Sequence, residues 1–320
     1  MKIVFLDRAT LSPEVKLRAP AFAHELVSHE RTEAAEVAGR IADADIVITN
    51  KARISAESLA QATRLKLVAV AATGTDNVDL AACAQRQVAV SNIRNYAVNT
   101  VPEHTFALIF ALRRSIRAYA DSVAAGRWQA SGQFCYFDFP IRDLAGSTLG
   151  IIGDGVLGNS VAAIGRALGM KVLFSAHKGS SGMGSLYTPF ERVLAESDII
   201  TLHCPLRPTT RNMIGAPEFA QMARKPLLIN TARGGLVDEQ ALVDALRAGQ
   251  IAGAGFDVCT AEPPAPDHPF MALADHPHFL LTPHVAWASL EAMQGLADQL
   301  VDNIEGFVAG QPRNLVTPAR

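Results

Sequence analysis

The sequence predicts an α/β fold built on doubly wound parallel sheets. Two observations carry that expectation. Short runs rich in β-branched and apolar residues alternate with helix-like segments through the 320-residue chain, a rhythm that calls for parallel strands joined by crossover helices. One of those runs, 148–152, leads through Gly153-Asp154-Gly155-Val156-Leu157-Gly158 into an apolar-periodic helix ending near Gly169. That stretch is G-x-G-x-x-G. In a dinucleotide site its first glycine permits the strand-to-helix turn, and the second lets the backbone approach a pyrophosphate. The third lets the helix pack on the sheet, and the helix N-terminus supplies N–H groups and positive dipole charge. A plain tight turn also uses glycine, so the flanking strand and helix are what select the dinucleotide reading.

In chain order, strands are expected at 3–6, 45–49, 67–71 and 88–91, with Ser55 capping a helix between them. The loop Ala72-Thr73-Gly74-Thr75-Asp76-Asn77 ends one strand and can aim N–H groups at an anion, with an ordinary surface turn as the alternative. Asn99–His104 opens a helix expected to run to residue 125, with Thr100 as N-cap, Pro102 in the first turn and Glu103 completing a capping box. This helix reads as a spine joining two domains. His104, in its first turn, reads as structural, with a functional role as the alternative. The aromatic segment 126–143 (Trp128, Phe134, Tyr136, Phe137, Phe139) reads as an arm over a partner subunit.

Beyond the glycine loop, strands are expected at 171–174, 198–203, 227–230, 252–256 and 279–281. Thr188-Pro189-Phe190-Glu191 reads as a capping box, and Asp238 as the cap of a helix that Gly249 ends. Polar groups follow these strands: Cys204-Pro205, Thr231-Ala232-Arg233, Asp257 and Thr282-Pro283-His284. In an open parallel sheet that edge is the ligand crevice.

Composition narrows the classes of function. The net charge of −2 with evenly spread signs gives no electrostatic case for nucleic acid or a membrane surface. The N-terminal apolar run is four residues long and reads as a strand, not a leader. The helix candidate 106–112 is far too short to span a bilayer, so a soluble protein is expected, and the scattered cysteines read as reduced thiols of a cytoplasmic one. Cys83, Cys135, Cys204 and Cys259 stand far apart without C-x-x-C, which indicates neither a metal site nor a disulfide framework.

Arg233, Glu262 and His284 form the candidate chemical set. Singly, Arg233 could pair with a surface carboxylate, Glu262 could lie exposed in a proline-rich loop, and His284 could cap a strand end. Together behind a nucleotide loop they are coherent. A guanidinium grips a carboxylate in two-bonded fashion, a histidine exchanges protons near neutral pH, and a glutamate fixes the histidine ring. That equipment suits addition of hydride and proton to a 2-keto acid, the hydride coming from the cofactor.

The chain resembles the D-2-hydroxyacid dehydrogenases along essentially its whole length. The resemblance rests on ATGTDNVDL (72–80), GIIGDGVLG (150–158), LHCPLRPTTRNMIG (202–215), LINTARGGLVDEQAL (228–242), GAGFDVCTAEPP (253–264) and LLTPHVAWAS (280–289). The last two are most similar to the glycerate dehydrogenase and hydroxypyruvate (glyoxylate) reductase branch. The resemblance implies two Rossmann-like or flavodoxin-like domains: a substrate domain of residues 1–98 and 286–320, and an inserted NAD(P)-binding domain of residues 99–285. It implies that Arg233 binds the substrate carboxylate and C2 oxygen, that His284 is the general acid and base, and that Glu262 is its partner. Thr73, Gly74 and Thr75 would hold the carboxylate. Asp257 would meet the nicotinamide amide with Thr231 and Ala232 nearby, and Cys204 and Pro205 would line the cofactor cleft. Trp287 would line the substrate pocket or pack under the last helix. A homodimer is implied.

One position departs from the NAD-binding pattern. An acid is expected at the end of the second strand to bind the ribose 2′-hydroxyl. Here Ala176 stands there, followed by His177, Lys178, Gly179, Ser180 and Ser181. The missing negative charge and the neighbouring cation predict that NADP(H) is preferred, with NAD(H) as the second cofactor. Two other functions fit less well: a 3-phosphoglycerate dehydrogenase, and a non-catalytic dinucleotide sensor of the corepressor kind.

Overall fold

The computed structural model describes residues 1–180 and 183–317; Ser181 of the cofactor stretch lies outside them. The chain runs β1 (Lys2–Phe5), β2 (Glu25–Ser28), α1 (Val37–Ile41), β3 (Ile46–Thr49), α2 (Ala56–Gln61), β4 (Leu67–Val70), α3 (Leu80–Gln85) and β5 (Ala89–Ser91). It continues through α4 (Thr100–Arg113), α5 (Ile116–Ala124), α6 (Arg127–Ser131), β6 (Thr148–Ile152), α7 (Val156–Ala167), β7 (Lys171–Ser175), β8 (Tyr187–Thr188) and α8 (Phe190–Glu196). Then follow β9 (Ile199–Leu202), α9 (Ala216–Phe219), β10 (Leu227–Asn230), α10 (Glu239–Arg247), β11 (Gly253–Phe256), β12 (Phe279–Leu281) and α11 (Leu290–Val308). Two compact units result: Met1–Tyr96 with Ala288–Arg320, and Ala97–Trp287.

The first unit holds a parallel sheet of order β2-β1-β3-β4-β5. Its central strands, IVIT and LVAV, are buried along their whole length, because a parallel sheet covered on both faces needs apolar side chains on both. Ser55 and Asp79 cap α2 and α3 by accepting the N–H groups of Ser58 and Ala82. The returning α11 is fastened by Asn303, which is buried: its Nδ2 donates to Asn92 O (2.9 Å) and its Oδ1 accepts from Asn314 Nδ2 (3.0 Å). Edge strand β2, ELVS, was not evident in the sequence because most of it is exposed and its polar ends mask the alternation.

The second unit holds a parallel sheet of order β12-β11-β10-β9-β6-β7-β8. Successive side chains point to opposite faces. Thus Ile199, Leu227 and Ile229 join Phe106, Ile109 and Val161 in one core, while Ile200, Leu202 and Leu228 join Phe190, Phe219 and Leu242 in the other. The order reverses between β6 and β9, and in such sheets the crevice at the reversal takes the ligand.

Three local expectations are corrected. The helix expected over 100–125 is two helices, since Ser115 turns left-handed (φ 49°) and its buried hydroxyl donates to Pro140 O (2.6 Å). Thr100 does not cap α4; Asn99 precedes the helix, and the Thr100 hydroxyl donates to Ala286 O (3.3 Å) instead. Thr188 forms no capping box either: it belongs to β8, and Pro189 is the residue before α8. Asp238 does cap α10, accepting from Ala241 N (3.0 Å).

His203 follows β9, its Nε2 within 2.9 Å of Thr201 Oγ1 and its Nδ1 buried. Burial pushes the imidazole down to about 4, so the folded protein resists a proton that the unfolded chain accepts below pH 6.5. Stability is therefore expected to be fully present above pH 6.5 and to fall as the pH drops towards 4. In urea unfolding, His203→Gln should flatten that decline by at most about 1.4 kcal/mol per pH unit; an unchanged slope would refute the assignment.

Candidate active site

The glycine loop is shaped by contacts that a side chain would break. Gly153 has φ +112°, and a Cβ there would lie 2.5 Å from the backbone of His203 at the end of the neighbouring β9. A Cβ on Gly158 would lie 2.0 Å from Gly153 O, so the first turn of α7 touches the loop itself. Gly155, the residue before α7, differs: its φ is −67° and a Cβ would meet no atom within 4 Å. Among the described residues, no side chain caps α7. An open approach to the backbone beside a helix N-terminus fits a pyrophosphate. Val156 and Leu157 form the first turn, and Asp154 is tied to β8 by the hydroxyl of Tyr187.

At the end of β7, Ala176 is buried and its N–H donates to Thr188 O (2.8 Å). His177 is exposed, its N–H reaching the Met183 sulfur (3.1 Å). Lys178 Nζ donates to Met213 O (2.9 Å) and pairs with Glu218 Oε1 at 2.8 Å. That pairing was not legible in the sequence. Glu218 is buried in α9, where its other oxygen accepts from Gly215 N (2.9 Å). Cys204 and Pro205 continue from β9, and burial pushes the Cys204 thiol up to about 11, so it stays protonated at neutral pH.

The catalytic candidates stand at the carboxyl ends of β10, β11 and β12. After β10, buried Asn230 brackets its loop: Oδ1 accepts from Ala232 N (3.0 Å) and Arg233 N (3.3 Å), while Nδ2 donates to Arg233 O (2.8 Å). Arg233 itself donates through Nη1 to Ala232 O (2.8 Å). Gly234 packs so closely on the next loop that a Cβ would lie 2.0 Å from Cys259 O. Cys259 N donates to Glu262 Oε1 (3.1 Å), and Glu262 Oε2 lies 2.6 Å from His284 Nδ1. The structure thus joins Glu262 to His284 directly and ties the Arg233 loop to the segment that leads to Glu262.

His284 is held in the left-handed region (φ 55°), and its backbone N–H donates to Asp257 O (2.8 Å). Asp257, 1% exposed, gathers the loop that carries His284. Its Oδ1 accepts from the Thr282 hydroxyl (2.5 Å) and Val285 N (3.0 Å), and its Oδ2 from Ala286 N (2.8 Å). Trp287 Nε1 donates to His284 O (2.9 Å), which puts its indole on the same loop. Thr231 Oγ1 meets Thr105 Oγ1 of α4 at 2.9 Å. Asn230 escaped notice as a site residue, and Thr282 stood out only as one of the polar residues that follow the last strand. Their one signal was a position at a strand end, where a short polar side chain can bond to the loop leaving it.

In the other unit, Thr73-Gly74-Thr75 follows β4. Thr73 Oγ1 donates to Ile93 O (2.8 Å), and Asn92 Nδ2 donates to Thr73 O (2.8 Å), which fixes the loop's entry.

The sequence profile of the D-isomer specific 2-hydroxyacid dehydrogenase, NAD binding domain, matches residues 106–286. The chain belongs to that family. It is therefore an oxidoreductase that uses a nicotinamide dinucleotide. Among similar proteins, a glycerate dehydrogenase of Methylorubrum extorquens is 55% identical over 316 residues, 98% of each chain. A hydroxypyruvate reductase of Blautia hydrogenotrophica is 35% identical over 323 residues, 99% of each. The crystal structure of an NADPH-dependent glyoxylate/hydroxypyruvate reductase from Sinorhizobium meliloti superposes with a TM-score of 0.83 at 30% identity, covering 100% of this chain and 99% of the other. Among the described residues no cluster is suited to a metal ion, and no helix is long and apolar enough to cross a membrane.

The glycine loop yields a contrast. Gly155→Ala is expected to keep the melting temperature of the parent while weakening dinucleotide binding at least about tenfold, because a methyl group occupies the phosphate approach. Gly153→Ala and Gly158→Ala should lower the melting temperature, since their Cβ atoms meet backbone. Calorimetric titration with scanning calorimetry checks both, and tight binding by Gly155→Ala would refute the placement.

Proposed function

We propose that this enzyme reduces a small 2-keto acid, hydroxypyruvate or glyoxylate, to the D-2-hydroxy acid, and catalyses the reverse oxidation. The observation that carries the reading is the His284–Glu262 pair, 2.6 Å apart at the sheet edge that also presents Arg233. The 55% identity to a glycerate dehydrogenase supports the substrate class. When bound, the nicotinamide supplies or accepts the hydride.

The residues divide the remaining work. The Arg233 guanidinium takes the substrate carboxylate and the C2 oxygen, a planar grip that fixes the face presented for hydride transfer. Glu262 accepts a hydrogen bond from His284 Nδ1, leaving Nε2 to act. In reduction, Nε2–H protonates the C2 oxygen as the C2 carbon receives hydride, and the neutral imidazole keeps its Nδ1–H on Glu262. Oxidation reverses the transfer. Thr73, Gly74 and Thr75 are assigned to the substrate carboxylate through backbone N–H groups. Residues 99–285 are taken as the cofactor-binding domain, and 1–98 with 286–320 as the substrate-binding domain. Asp257, Thr231 and Ala232 are assigned to the nicotinamide end, Cys204 and Pro205 to the cleft wall, and His177 and Lys178 to the adenosine end.

NADP(H) is proposed as the preferred cofactor, with NAD(H) second. Buried Ala176 supplies no carboxylate to repel a 2′-phosphate, and Lys178 and His177 follow it. The Lys178–Glu218 pair tempers this, because a cation already neutralised draws a phosphate less strongly. A cytoplasmic setting is supported by four unpaired cysteines.

The deciding experiment follows nicotinamide absorbance with hydroxypyruvate, NADH and NADPH side by side. Turnover with a higher kcat/KM for NADPH is expected, and His284→Ala should lose at least about a hundredfold in kcat while still binding cofactor. Wild-type turnover in His284→Ala would remove the acid assignment, and a higher efficiency with NADH would remove the cofactor preference. Cofactor binding without turnover on a panel of 2-keto acids would favour a dinucleotide sensor.

A homodimer is proposed through the arm 126–143. Its inner face is anchored by Tyr119 against Tyr136 and Phe139 (centroids 5.6 and 5.2 Å), while Phe134 and Phe137 are 88% and 84% exposed. Rings so exposed on an anchored segment suit a second copy. Sedimentation should give a dimer at micromolar concentration, and Phe134→Ser with Phe137→Ser should yield monomer; a monomeric parent would refute it.

A further inference from the structure

We infer that His104 is a positioning residue for the catalytic histidine, acting through Thr282 and Asp257; this rests on His284 being the proton donor. The hydrogen count gives the direction of the chain. Thr282 Oγ1 carries one hydrogen and lies 2.5 Å from Asp257 Oδ1 and 3.0 Å from His104 Nε2. A carboxylate only accepts, so that hydrogen goes to Asp257. His104 Nε2 therefore donates to Thr282, which gives an unbroken line from His104 to Thr282 to Asp257. Asp257 in turn accepts the N–H groups of Val285 and Ala286, on the far side of His284. Without the His104 donor, Thr282 Oγ1 loses the group that holds its oxygen from the α4 side, and its hydroxyl can turn from Asp257 towards Phe256 O, 3.5 Å away.

The placement is not local to one residue. Thr100, one turn before His104 on the same face of α4, bonds to Ala286 O (3.3 Å), and Thr105, the residue after His104, bonds to Thr231 Oγ1 (2.9 Å). The opening turns of α4 thus touch the loops after both β10 and β12. What lets the helix down onto β11 is Gly255, where a Cβ would lie 3.1 Å from Leu108 Cβ and 3.3 Å from Leu112 Cδ1. His284 occupies a left-handed backbone position that a loosened loop would abandon.

The test compares His104→Leu and Thr282→Val with His104→Gln, whose amide can still donate to Thr282. The first readout needs no cofactor: the His284 Nδ1 proton held by Glu262 gives a downfield imidazole resonance, assigned by its loss in His284→Ala. That resonance should broaden or move upfield in His104→Leu and Thr282→Val and persist in His104→Gln. The second readout is kinetic. The first two variants should lose about ten- to a hundredfold in kcat with KM and cofactor dissociation constant held within about twofold, because a misplaced acid spoils the transition state and not binding. His104→Gln should recover most of that loss. Should His104→Leu fail to fold, His104→Phe, a ring of similar size with no donor, takes its place and is judged by the same contrast with His104→Gln. An unchanged resonance and kcat, with only the melting temperature lowered, would overturn the inference. A parent protein without turnover would overturn the functional reading, and the resonance would then decide this one by itself.

Discussion

The buried carboxylate of Asp257 is the constraint on which the sheet edge carrying the candidate site depends. A charge so far from water is costly unless it is met by donors, so the chain around it is obliged to supply them. Three come from one short stretch: the Thr282 hydroxyl and the N–H groups of Val285 and Ala286. His284 lies within the stretch that these donors bracket, so satisfying Asp257 and presenting the imidazole are a single geometric event. The Glu262 contact then orients a ring whose backbone is already fixed.

The topology explains why the chemistry is confined to one edge. The central strands of both sheets are almost wholly apolar on both faces, because helices cover both sides of a parallel sheet. The polar side chains of the candidate site therefore stand just beyond the strand ends. At the reversal between β6 and β9, the glycine loop and the turn after Leu202 come within contact of each other, which is why Gly153 tolerates no side chain. Stability therefore belongs to the Ile, Leu and Val of the sheets, and the candidate site to polar and charged residues just beyond them.

Much of this was legible in the sequence, for physical reasons that also mark its limits. Central strands such as IVIT and LLIN announce themselves through unbroken β-branched and apolar runs, and G-x-G-x-x-G through its setting between strand and helix. Arg233, Glu262 and His284 stood out as candidates because few other side chains can grip a carboxylate or carry a proton, and the structure brings the last two together. Edge strand β2 and the two-residue β8 were not, since an edge lacks the burial that writes a pattern. The break at Ser115 depends on a hydroxyl finding Pro140 O, twenty-five residues away. Thr100 was read as a cap from its neighbours, whereas its hydroxyl serves the loop near residue 286, which no local pattern records. The pairing of Lys178 with Glu218 is of the same non-local kind.

The device at Asp257 occurs in the other unit as well, which argues that it is a property of parallel sheets and not of this catalytic site alone. Asp7 follows β1, is buried, and its carboxylate accepts the N–H groups of Asn50, Lys51 and Ala52, which leave the adjacent β3. Asp257 follows β11 and gathers the loop leaving the adjacent β12. In both, an acid at the end of one strand collects the donors that the next strand's loop cannot satisfy within the ladder. Such an acid contributes by holding a neighbour, so its substitution disturbs residues it never contacts through their side chains. In the first unit the gathered loop contains no histidine; in the second it contains His284. The catalytic edge thus uses a general solution to loop closure and adds to it one titratable ring, one glutamate to orient that ring, and a helix whose opening turns keep the loop in place.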